Sequence, residues 1–273
     1  MNLLETTKLL LRRYRIFPKK LFGQNFMVEP AIFQCMVDYA SLNQSDVVLD
    51  IGAGLGFFTR FLADNCKTVL AVESDAELVK ALCNQLKDSP NVKIIEGSVL
   101  KVQIPKFNKV VSIPPYNISS RLLMWLLGKN FDCAVLIFQE EFANRLVAPI
   151  GSEDYGWLTV FTYYHVEVEL LDAVPRWMFY PQPEVDSIIV RLKPRKLPPF
   201  KLKNEVLFKQ LVRLLFTQRN RKVRNAILPF MKGVHAIAAE NVGELAAALP
   251  FSDKRVRELA PEDFGALANA LSD

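Results

Sequence analysis

The chain has 273 residues, of which 51% are hydrophobic, and its formal net charge is +5. This length fits one large domain or a main domain with a smaller one, and the apolar fraction suffices for a sizeable core. No apolar run reaches the roughly 18–20 residues of a membrane span. The N-terminus lacks a signal-peptide pattern, and the four scattered cysteines form no metal-binding pair. We therefore expect a cytoplasmic protein with reduced cysteines, no metal and no membrane partner.

The N-terminal arm, residues 3–20, is apolar and basic. Its cations stand beside Tyr14 and Phe17. Positive charge interleaved with aromatic side chains suits nucleic-acid binding. We assign this role to four cations: Arg12, Arg13, Lys19 and Lys20.

From residue 31 to residue 139 the patterns of predicted strands and helices alternate. The predicted helices are 31–39, 58–65 and 75–87, and the predicted strands are 47–50, 69–73, 92–96, 109–113 and 134–139. Such alternation is typical of an α/β fold with a parallel, doubly wound sheet. Ligands of these sheets bind at the carboxyl ends of the strands.

The first of these strands runs into a glycine-rich turn, Asp50–Thr59. Gly52, Gly54 and Gly56 occupy alternate positions, and the next strand ends on Glu73. Glycine permits positive φ and close approach of a ligand to the backbone. An acid at the tip of the second strand is placed to hold a ribose diol. The Gly-x-Gly-x-Gly spacing after an acid resembles motif I of S-adenosylmethionine methyltransferases; a dinucleotide site and a tight turn without a ligand are the alternatives.

The strand at 109–113 leads into a second informative segment, Ser112–Ser120, which contains Pro114, Pro115 and Tyr116. Methyltransferases acting on base amino groups carry a polar residue, then two further residues, then an aromatic. An exocyclic amino nitrogen is a poor nucleophile because its lone pair is delocalised into the ring. A side-chain acceptor and a backbone carbonyl take its two hydrogens, while the aromatic ring stacks on the extruded base. The alternative is an ordinary strand exit.

The character of the chain changes after residue 157. Strands are predicted at 158–163 and 187–192, an extended loop at 179–183, and helices from 204 onward with a break at Pro229. Pro194, Pro198 and Pro199 mark a linker. We therefore predict two domains, 1–195 and 196–273.

Positive charge is concentrated in one segment, the basic block Arg191–Lys232. It holds thirteen Lys and Arg residues and one acid, Glu205, so its net charge is +12 and the rest of the chain sums to about −7. So one-sided a bias suggests a polyanion partner, most simply nucleic acid. A solvated helix face is the alternative.

Taken together, these strings resemble the KsgA family of ribosomal RNA adenine dimethyltransferases over nearly the whole chain. The matching segments are Leu21–Phe26, Asp50–Thr59, Glu73, Tyr116–Ser119, Gln139–Leu146, Tyr155–Gly156, Phe179–Leu192 and Phe216–Leu228. The resemblance implies a Rossmann-like class I methyltransferase domain followed by a small all-helical C-terminal domain. It also implies S-adenosylmethionine as the methyl donor.

The resemblance further implies a substrate. This would be two adjacent adenosines in a hairpin loop near the 3′ end of small-subunit rRNA, each receiving two methyl groups on a nearly assembled subunit. The expected partners are therefore the small ribosomal subunit and the 3′ region of its rRNA, and we expect the protein to be a monomer.

Site residues are carried over by position. The resemblance implies cofactor contacts from Gln24, Asn25, Met27, Gly52, Gly54, Glu73, Ser98 and Ile113. It implies catalytic roles for Ile113, Pro114, Tyr116 and Phe179, with Tyr116 and Phe179 enclosing the target base. It implies RNA phosphate contacts from Arg219, Arg221, Lys222 and Arg224 in the basic block.

Two positions depart from the family pattern. Ser98 stands where the family has an acid that touches the cofactor adenine amino group, and Ile113 stands where motif IV has its first Asn. An uncharged serine is a weaker acceptor, and isoleucine accepts nothing. Losing one transition-state hydrogen bond typically costs about a hundredfold or more in rate. A backbone carbonyl near Pro114, together with Ser112 or Asn117, is the expected replacement.

Two hypotheses of different class follow from these departures. The protein is an active dimethyltransferase with an altered acceptor, or it is a ribosome-assembly factor that binds the immature small subunit with weak or lost catalysis. A third reading is a methyltransferase of the same fold that acts on large-subunit RNA. The survival of motif I, Glu73 and Tyr116 favours the active enzyme.

Overall fold

The computed structural model describes residues 2–19, 23–234 and 242–272. Within it the chain forms two compact units. The first comprises Met1–Ala143 and Val168–Pro194, and the second comprises Asn144–Glu167 and Arg195–Asp273. Leu21, Phe22 and Lys20 lie outside the described residues, so the first part of the N-terminal motif and the RNA-binding role of Lys20 stay predictions.

The elements up to the end of the sheet are α1 (Leu3–Arg13), β1 (Phe26–Met27), α2 (Pro30–Ala40), β2 (Val47–Ile51), α3 (Phe57–Asn65), β3 (Thr68–Glu73), α4 (Ala76–Gln85), β4 (Val92–Glu96), β5 (Lys109–Ser112), α5 (Ser119–Leu126), β6 (Cys133–Gln139), α6 (Glu140–Leu146), α7 (Trp157–His165), β7 (Val166–Val174), β8 (Phe179–Tyr180) and β9 (Ser187–Pro194). Beyond them lie α8 (Glu205–Phe216), α9 (Val223–Ala226), α10 (Leu228–Val234), α11 (Val242–Ala248) and α12 (Pro261–Ala270).

Seven strands of the described chain form one sheet in the order β4-β3-β2-β5-β6-β9-β7. The neighbours from β4 to β6 are parallel, and β9 pairs antiparallel with β6. A separate two-stranded sheet pairs β1 antiparallel with β8. Helices join β2 to β3, β3 to β4 and β5 to β6, whereas residues 97–108 join β4 to β5 without a helix. The parallel sheet with crossover helices is the doubly wound arrangement that the alternating pattern predicts.

The core of the first unit lies between this sheet and its helices. Met36 on α2, Leu62 on α3 and Val48, Val111 and Val135 on the central strands are all fully buried in one cluster. Central strands covered on both faces carry near-continuous apolar runs, as β6 does. Each such buried aliphatic side chain contributes about 1.5–3 kcal/mol. The core therefore fixes the strand ends on which the site is built.

The prediction of a strand at 158–163 is wrong, because these residues lie in helix α7. Leu158–Thr162 are all buried, and the ring of Phe161 lies 6.0 Å from that of Phe208 in the second unit. When every residue of a run is buried, its apolar residues recur with neither the two-residue period of a strand nor the 3.6-residue period of a helix. Its β-branched and aromatic residues favoured strand, but packing in the second unit decided otherwise.

The second unit also contains residues 144–167, which the sequence analysis assigned to the first domain. Tyr155 explains why: its buried hydroxyl donates to the carbonyl of Leu259 over 2.7 Å, and its ring lies 5.6 Å from that of Phe216. The last crossing between the units falls at Pro194–Arg195, beside the proposed boundary. The break at Pro229 is confirmed, since α10 starts at Leu228 as a separate helix.

No helix of the described residues is long and apolar enough to span a membrane.

Candidate active site

The turn after β2 holds three glycines in the left-handed region, with φ of 77° at Gly52, 57° at Gly54 and 83° at Gly56. Residues with a Cβ adopt this region at a cost of about 1–2 kcal/mol. An added Cβ would also stand 2.7 Å from Pro115 Cδ at Gly52 and 2.7 Å from Leu82 Cδ1 at Gly56. Conformation and space both require glycine here, so the predicted turn before α3 is confirmed.

Asp50 fixes the start of this turn. Its buried carboxylate accepts a 2.7 Å hydrogen bond from Thr59 Oγ1 on α3. Burial raises the pKa of Asp50 to about 7, against the opposing effect of the Thr59 and Ser112 hydroxyls. The side chain therefore ties the end of β2 to the helix that follows the glycines.

Glu73 ties the glycine turn to the beginning of α4. Its side chain is only 6% exposed; Oε2 accepts from Gly54 N over 2.9 Å, and Oε1 accepts from the N–H groups of Ser74 (2.7 Å) and Asp75 (2.9 Å). Burial raises the pKa of Glu73, although these backbone bonds oppose the shift. A carboxylate has about four lone-pair sites. One site on Oε2 therefore remains for a ligand hydroxyl.

A cavity of about 660 Å³ opens at the carboxyl ends of the central strands. This volume lies within the range of small-molecule sites. Seven of the residues predicted to bind a cofactor line it: Gln24, Asn25, Gly52, Gly54, Glu73, Ser98 and Ile113. The eighth, Met27, is buried and lines an adjoining cavity of about 60 Å³.

Pro114 and Tyr116 line the same cavity, directly beyond the end of β5. The Tyr116 hydroxyl lies 2.8 Å from Ser187 Oγ, and burial raises the pKa of Tyr116 to about 12. The carbonyls of Pro115 and Tyr116 are occupied, since they accept from Ile118 N and Ser119 Oγ. The Tyr116 ring is thus held in place and neutral beside the cavity.

The acceptors available near Tyr116 are fewer than the sequence suggests. Ser112 Oγ is buried; it accepts from Ile51 N over 2.9 Å and donates to Ile51 O over 2.7 Å. The suggestion that Ser112 replaces the missing acceptor is therefore wrong. The carbonyls of Ile113 and Pro114 have no hydrogen-bond partner among the described residues, and Asn117 lines the cavity.

Phe179 lies beside Tyr116 rather than in the cavity lining. It is 2% exposed, and the two ring centroids are 6.2 Å apart with the planes at 71°. Rings that touch edge to face leave no slot for a base between them. The role of this pair as two walls around a base therefore stays a prediction, and it requires the rings to separate.

Lys19, Asp75 and Arg121 also line the cavity, and they are charged residues that the sequence analysis did not place there. Asp75 Oδ2 accepts from Lys19 Nζ over 2.9 Å and from Gln24 Nε2 over 3.1 Å. Burial alone would raise the pKa of Asp75, but these bonds hold it below its ordinary value. Lys19, assigned to RNA binding, therefore pairs with an acid at the cavity. The position of Asp75 two residues after Glu73, at the start of a predicted helix, was the available signal.

The cations assigned to RNA have different surroundings. Arg12 and Arg13 are exposed on α1. In the second unit, Arg219 donates to the carbonyls of Ser152 (2.6 Å) and Glu153 (2.5 Å). Lys222 and Arg224 share the Asp253 carboxylate, at 3.0 and 2.8 Å. Arg221 is exposed and forms no ion pair with a described residue.

Comparison with known proteins decides the family. The model of the ribosomal RNA adenine dimethylase family matches residues 18–257. The chain belongs to this family. A "Probable ribosomal RNA small subunit methyltransferase A" of Methanosarcina mazei is 40% identical over 266 residues, 97% of this chain and 96% of that protein. A relative of the same name from Thermococcus onnurineus is 40% identical over 93% of this chain and 92% of its own.

Two solved structures extend the comparison. A dimethyladenosine transferase from Plasmodium falciparum has a TM-score of 0.75 and 27% identity, covering 89% of this chain and 95% of its own. The 23S rRNA methyltransferase ErmE has a TM-score of 0.65 and 28% identity, covering 91% and 100%. For this member of the dimethylase family, the class I methyltransferase fold, S-adenosylmethionine as cofactor and rRNA adenine methylation are confirmed.

The residues present fit this cofactor. The backbone of Gly52 and Gly54 lines the cavity, and one lone-pair site of Glu73 Oε2 has no donor among the described residues. Ser98 also lines it and offers a hydroxyl, whereas the side chain of Ile113 adds only apolar surface.

Proposed function

We propose that this protein dimethylates two adjacent adenosines in the 3′-terminal hairpin loop of small-subunit rRNA. The observation that carries the proposal is the cavity in which Glu73, the glycine turn and Tyr116 come together in one member of the dimethylase family. The relatives named small subunit methyltransferase A support the choice of the small subunit over the large one.

The cofactor contacts follow from the cavity lining. Glu73 Oε2 would hold a ribose hydroxyl and Ser98 would accept from the adenine. Gln24 and Asn25 would also contact the cofactor from the cavity lining, and Met27 would do so from the adjoining cavity. S-adenosylmethionine supplies an electrophilic methyl group on a positively charged sulfur.

The chain's own part in catalysis is to hold the base. Tyr116 would stack on the extruded adenine, which is worth roughly 1–3 kcal/mol per base. The carbonyl of Ile113 or Pro114, which has no hydrogen-bond partner among the described residues, would accept one amino hydrogen. The Asn117 amide oxygen would accept the other in place of the missing motif Asn. The amino nitrogen then loses its proton to water after transfer, so no general base is required.

The RNA contacts are proposed on charge and exposure. Arg12, Arg13 and Arg221 are exposed cations and are the first candidates for phosphate contacts. Lys222 and Arg224 would reach phosphate only in exchange for Asp253. We further propose a cytoplasmic monomer with a catalytic domain, 1–195, and an RNA-binding domain, 196–273.

A second function, a ribosome-assembly factor with weak or lost catalysis, is favoured by Ser98 and Ile113 alone. Both replacements sit in the cavity lining. The intact hydrogen bonding of Glu73 favours the active enzyme, because a protein released from catalysis does not need it.

The test is methyl transfer from labelled S-adenosylmethionine to small subunits isolated from cells lacking the modification, with large subunits as control. Mass spectrometry of the rRNA should find dimethyladenosine at two adjacent positions of the 3′ hairpin. Binding to small subunits without methyl transfer would instead establish the assembly factor. Methylation of large subunits alone would overturn both readings.

A further inference from the structure

The exposed side of the N-terminal segment is a basic and aromatic surface outside the catalytic site. We call it the N-terminal hook and define it as Arg12, Arg13, Arg15 and Phe17. All four side chains are exposed, and Phe17 is 79% exposed. Residues 6–20 contain six Lys and Arg residues and no Asp or Glu. Lys8 and Lys19 pair with Glu5 and Asp75, whereas Arg12, Arg13 and Arg15 form no ion pair with a described residue.

Helix α1 ends in a turn that normally calls for glycine. Arg15 N donates to Arg12 O over 3.1 Å, and Ile16 N donates to Leu11 O over 2.8 Å. These two bonds form a Schellman motif, in which the residue at the position of Arg15 adopts the left-handed region. Arg15 has φ of 55° there. An arginine is thus held in a conformation that glycine would adopt with less strain.

A buried residue keeps this turn in one orientation. Ile16 is 4% exposed and packs in a cluster with Leu10, Leu11, Leu55 and Leu78. Because Ile16 is anchored, its neighbours Arg15 and Phe17 are both presented to solvent. Burying Phe17 would require moving the anchor.

The hook adjoins the mouth of the cofactor cavity. Lys19, two residues beyond Phe17, lines that cavity and pairs with Asp75. On the other side, Lys8 lies one helical turn before Arg12, with its ammonium 5.6 Å from the centre of the Tyr180 ring. The hook therefore lies between a residue of the cavity lining and the Tyr180 ring of β8.

An exposed phenylalanine alone is ordinary on a protein surface. Here the exposed ring follows Arg15 by two residues, in a segment that contains cations and no acids. Exposed aromatic rings next to cations are typical of surfaces that bind unpaired bases. We propose that Phe17 stacks on an unpaired rRNA base next to the target adenosines, while Arg15 contacts a neighbouring phosphate. The inference rests on the proposed function, since it takes rRNA as the partner.

The stacking part is tested by binding rather than by methylation. Dissociation constants would be measured for the isolated 3′ hairpin RNA and for small subunits with wild type, Phe17→Ala, Phe17→Leu and Phe17→Trp. We expect Phe17→Ala and Phe17→Leu to weaken both complexes five- to a hundredfold. Phe17→Trp should bind within about twofold of wild type. Leu9→Ala removes a similarly exposed apolar side chain from α1 and should bind as wild type.

The phosphate contact is tested by Arg15→Gly, which removes the charge and relieves the backbone. Its melting temperature should equal or exceed that of wild type, whereas its RNA affinity should fall. The slope of log affinity against log salt should flatten by about 0.7, as for one phosphate of a single strand. Arg15→Lys should restore most of the slope.

Several outcomes would overturn the hook. One is unchanged RNA binding by Phe17→Ala. Another is a parallel loss of S-adenosylmethionine affinity or melting temperature in that variant, which would make Phe17 structural. Weakened binding to subunits with unchanged binding to the hairpin would point to a ribosomal protein instead. A wild-type protein that binds the hairpin but transfers no methyl group would contradict the proposed function. The RNA affinities of the Phe17 variants would still test the stacking proposal in that case.

Discussion

The cofactor end of the first unit is built mainly from backbone, whereas the basic residues of the second unit act through side chains. At the cofactor end, Glu73 accepts from three main-chain N–H groups and three glycines set the turn. In the second unit, one carboxylate, Asp253, takes up both Lys222 and Arg224. Arg219 is used to hold the carbonyls of Ser152 and Glu153.

The difference shows which sequence signals translate directly into structure. A left-handed turn between a strand and a helix needs glycine, so its sequence pattern specifies its geometry. A cation has no such requirement and pairs with whichever acid or carbonyl the fold brings near. The count of +12 in the basic block therefore overstates the charge that remains available to RNA.

Glu73→Ala should cause the largest loss. It removes the acceptor of three N–H groups in a buried site, so we expect the free energy of unfolding to fall by about 3 kcal/mol or more. S-adenosylmethionine affinity should fall at least about a hundredfold, measured by calorimetry. Glu96→Ala is the matched control, because Glu96 faces Glu73 in the register of β3 and β4 but is exposed. A Glu73 variant whose cofactor affinity stays within a few-fold of wild type would show that the cofactor site does not depend on the Glu73 hydrogen bonds.

Asp50→Asn should change how stability depends on pH. The folded-state pKa of Asp50, about 7, lies above the unfolded value near 4, so its favourable contribution is complete below about pH 4 and is lost as pH rises through about 7. Urea unfolding from pH 4 to 8 should show wild type losing about 3 kcal/mol relative to the variant. Asp64→Asn, at an exposed position of α3, is the control. If the free energy of unfolding of wild type and of Asp50→Asn depended on pH in the same way, the raised pKa of Asp50 would be contradicted.

Ile113→Asn should raise the methyl-transfer rate if the missing acceptor limits it. The gain should be about tenfold or more, because losing one transition-state hydrogen bond typically lowers the rate about a hundredfold or more. Single-turnover kinetics on small subunits would measure it, and Asn117→Ala in the wild-type background should lower the rate. A faster Ile113 variant combined with an inert Asn117 change would mean that Asn117 is not the substitute acceptor.

Charge changes in the second unit should have the smallest effects. Arg221→Ala should weaken subunit binding and flatten its salt dependence, because Arg221 has no ion pair to lose among the described residues. Lys222→Ala should do less, because Asp253 already occupies that ammonium. Asp253→Asn should strengthen binding by freeing two cations. Equal losses for Arg221→Ala and Lys222→Ala, with no gain from Asp253→Asn, would show that internal pairing does not limit RNA contacts.

Sequence predicted the parallel sheet, the glycine turn and the position of Glu73 because each depends on a local pattern with one structural solution. It missed helix α7, in which the five consecutive residues Leu158–Thr162 are all buried and therefore show no period. It also missed the hydrogen bonds between Ser112 Oγ and the Ile51 backbone and the ion pair between Lys19 and Asp75. Both are contacts between segments more than fifty residues apart, and they depend on which groups the folded sheet brings together.

The most direct measurement is the number of methyl groups transferred per unmodified small subunit by wild type and by Tyr116→Ala. We expect four groups on two adjacent adenosines for wild type. We expect almost none for the variant, which should still bind S-adenosylmethionine because Tyr116 serves the base. A wild-type protein that binds cofactor and subunit but transfers no methyl group would show that it is not the proposed dimethyltransferase.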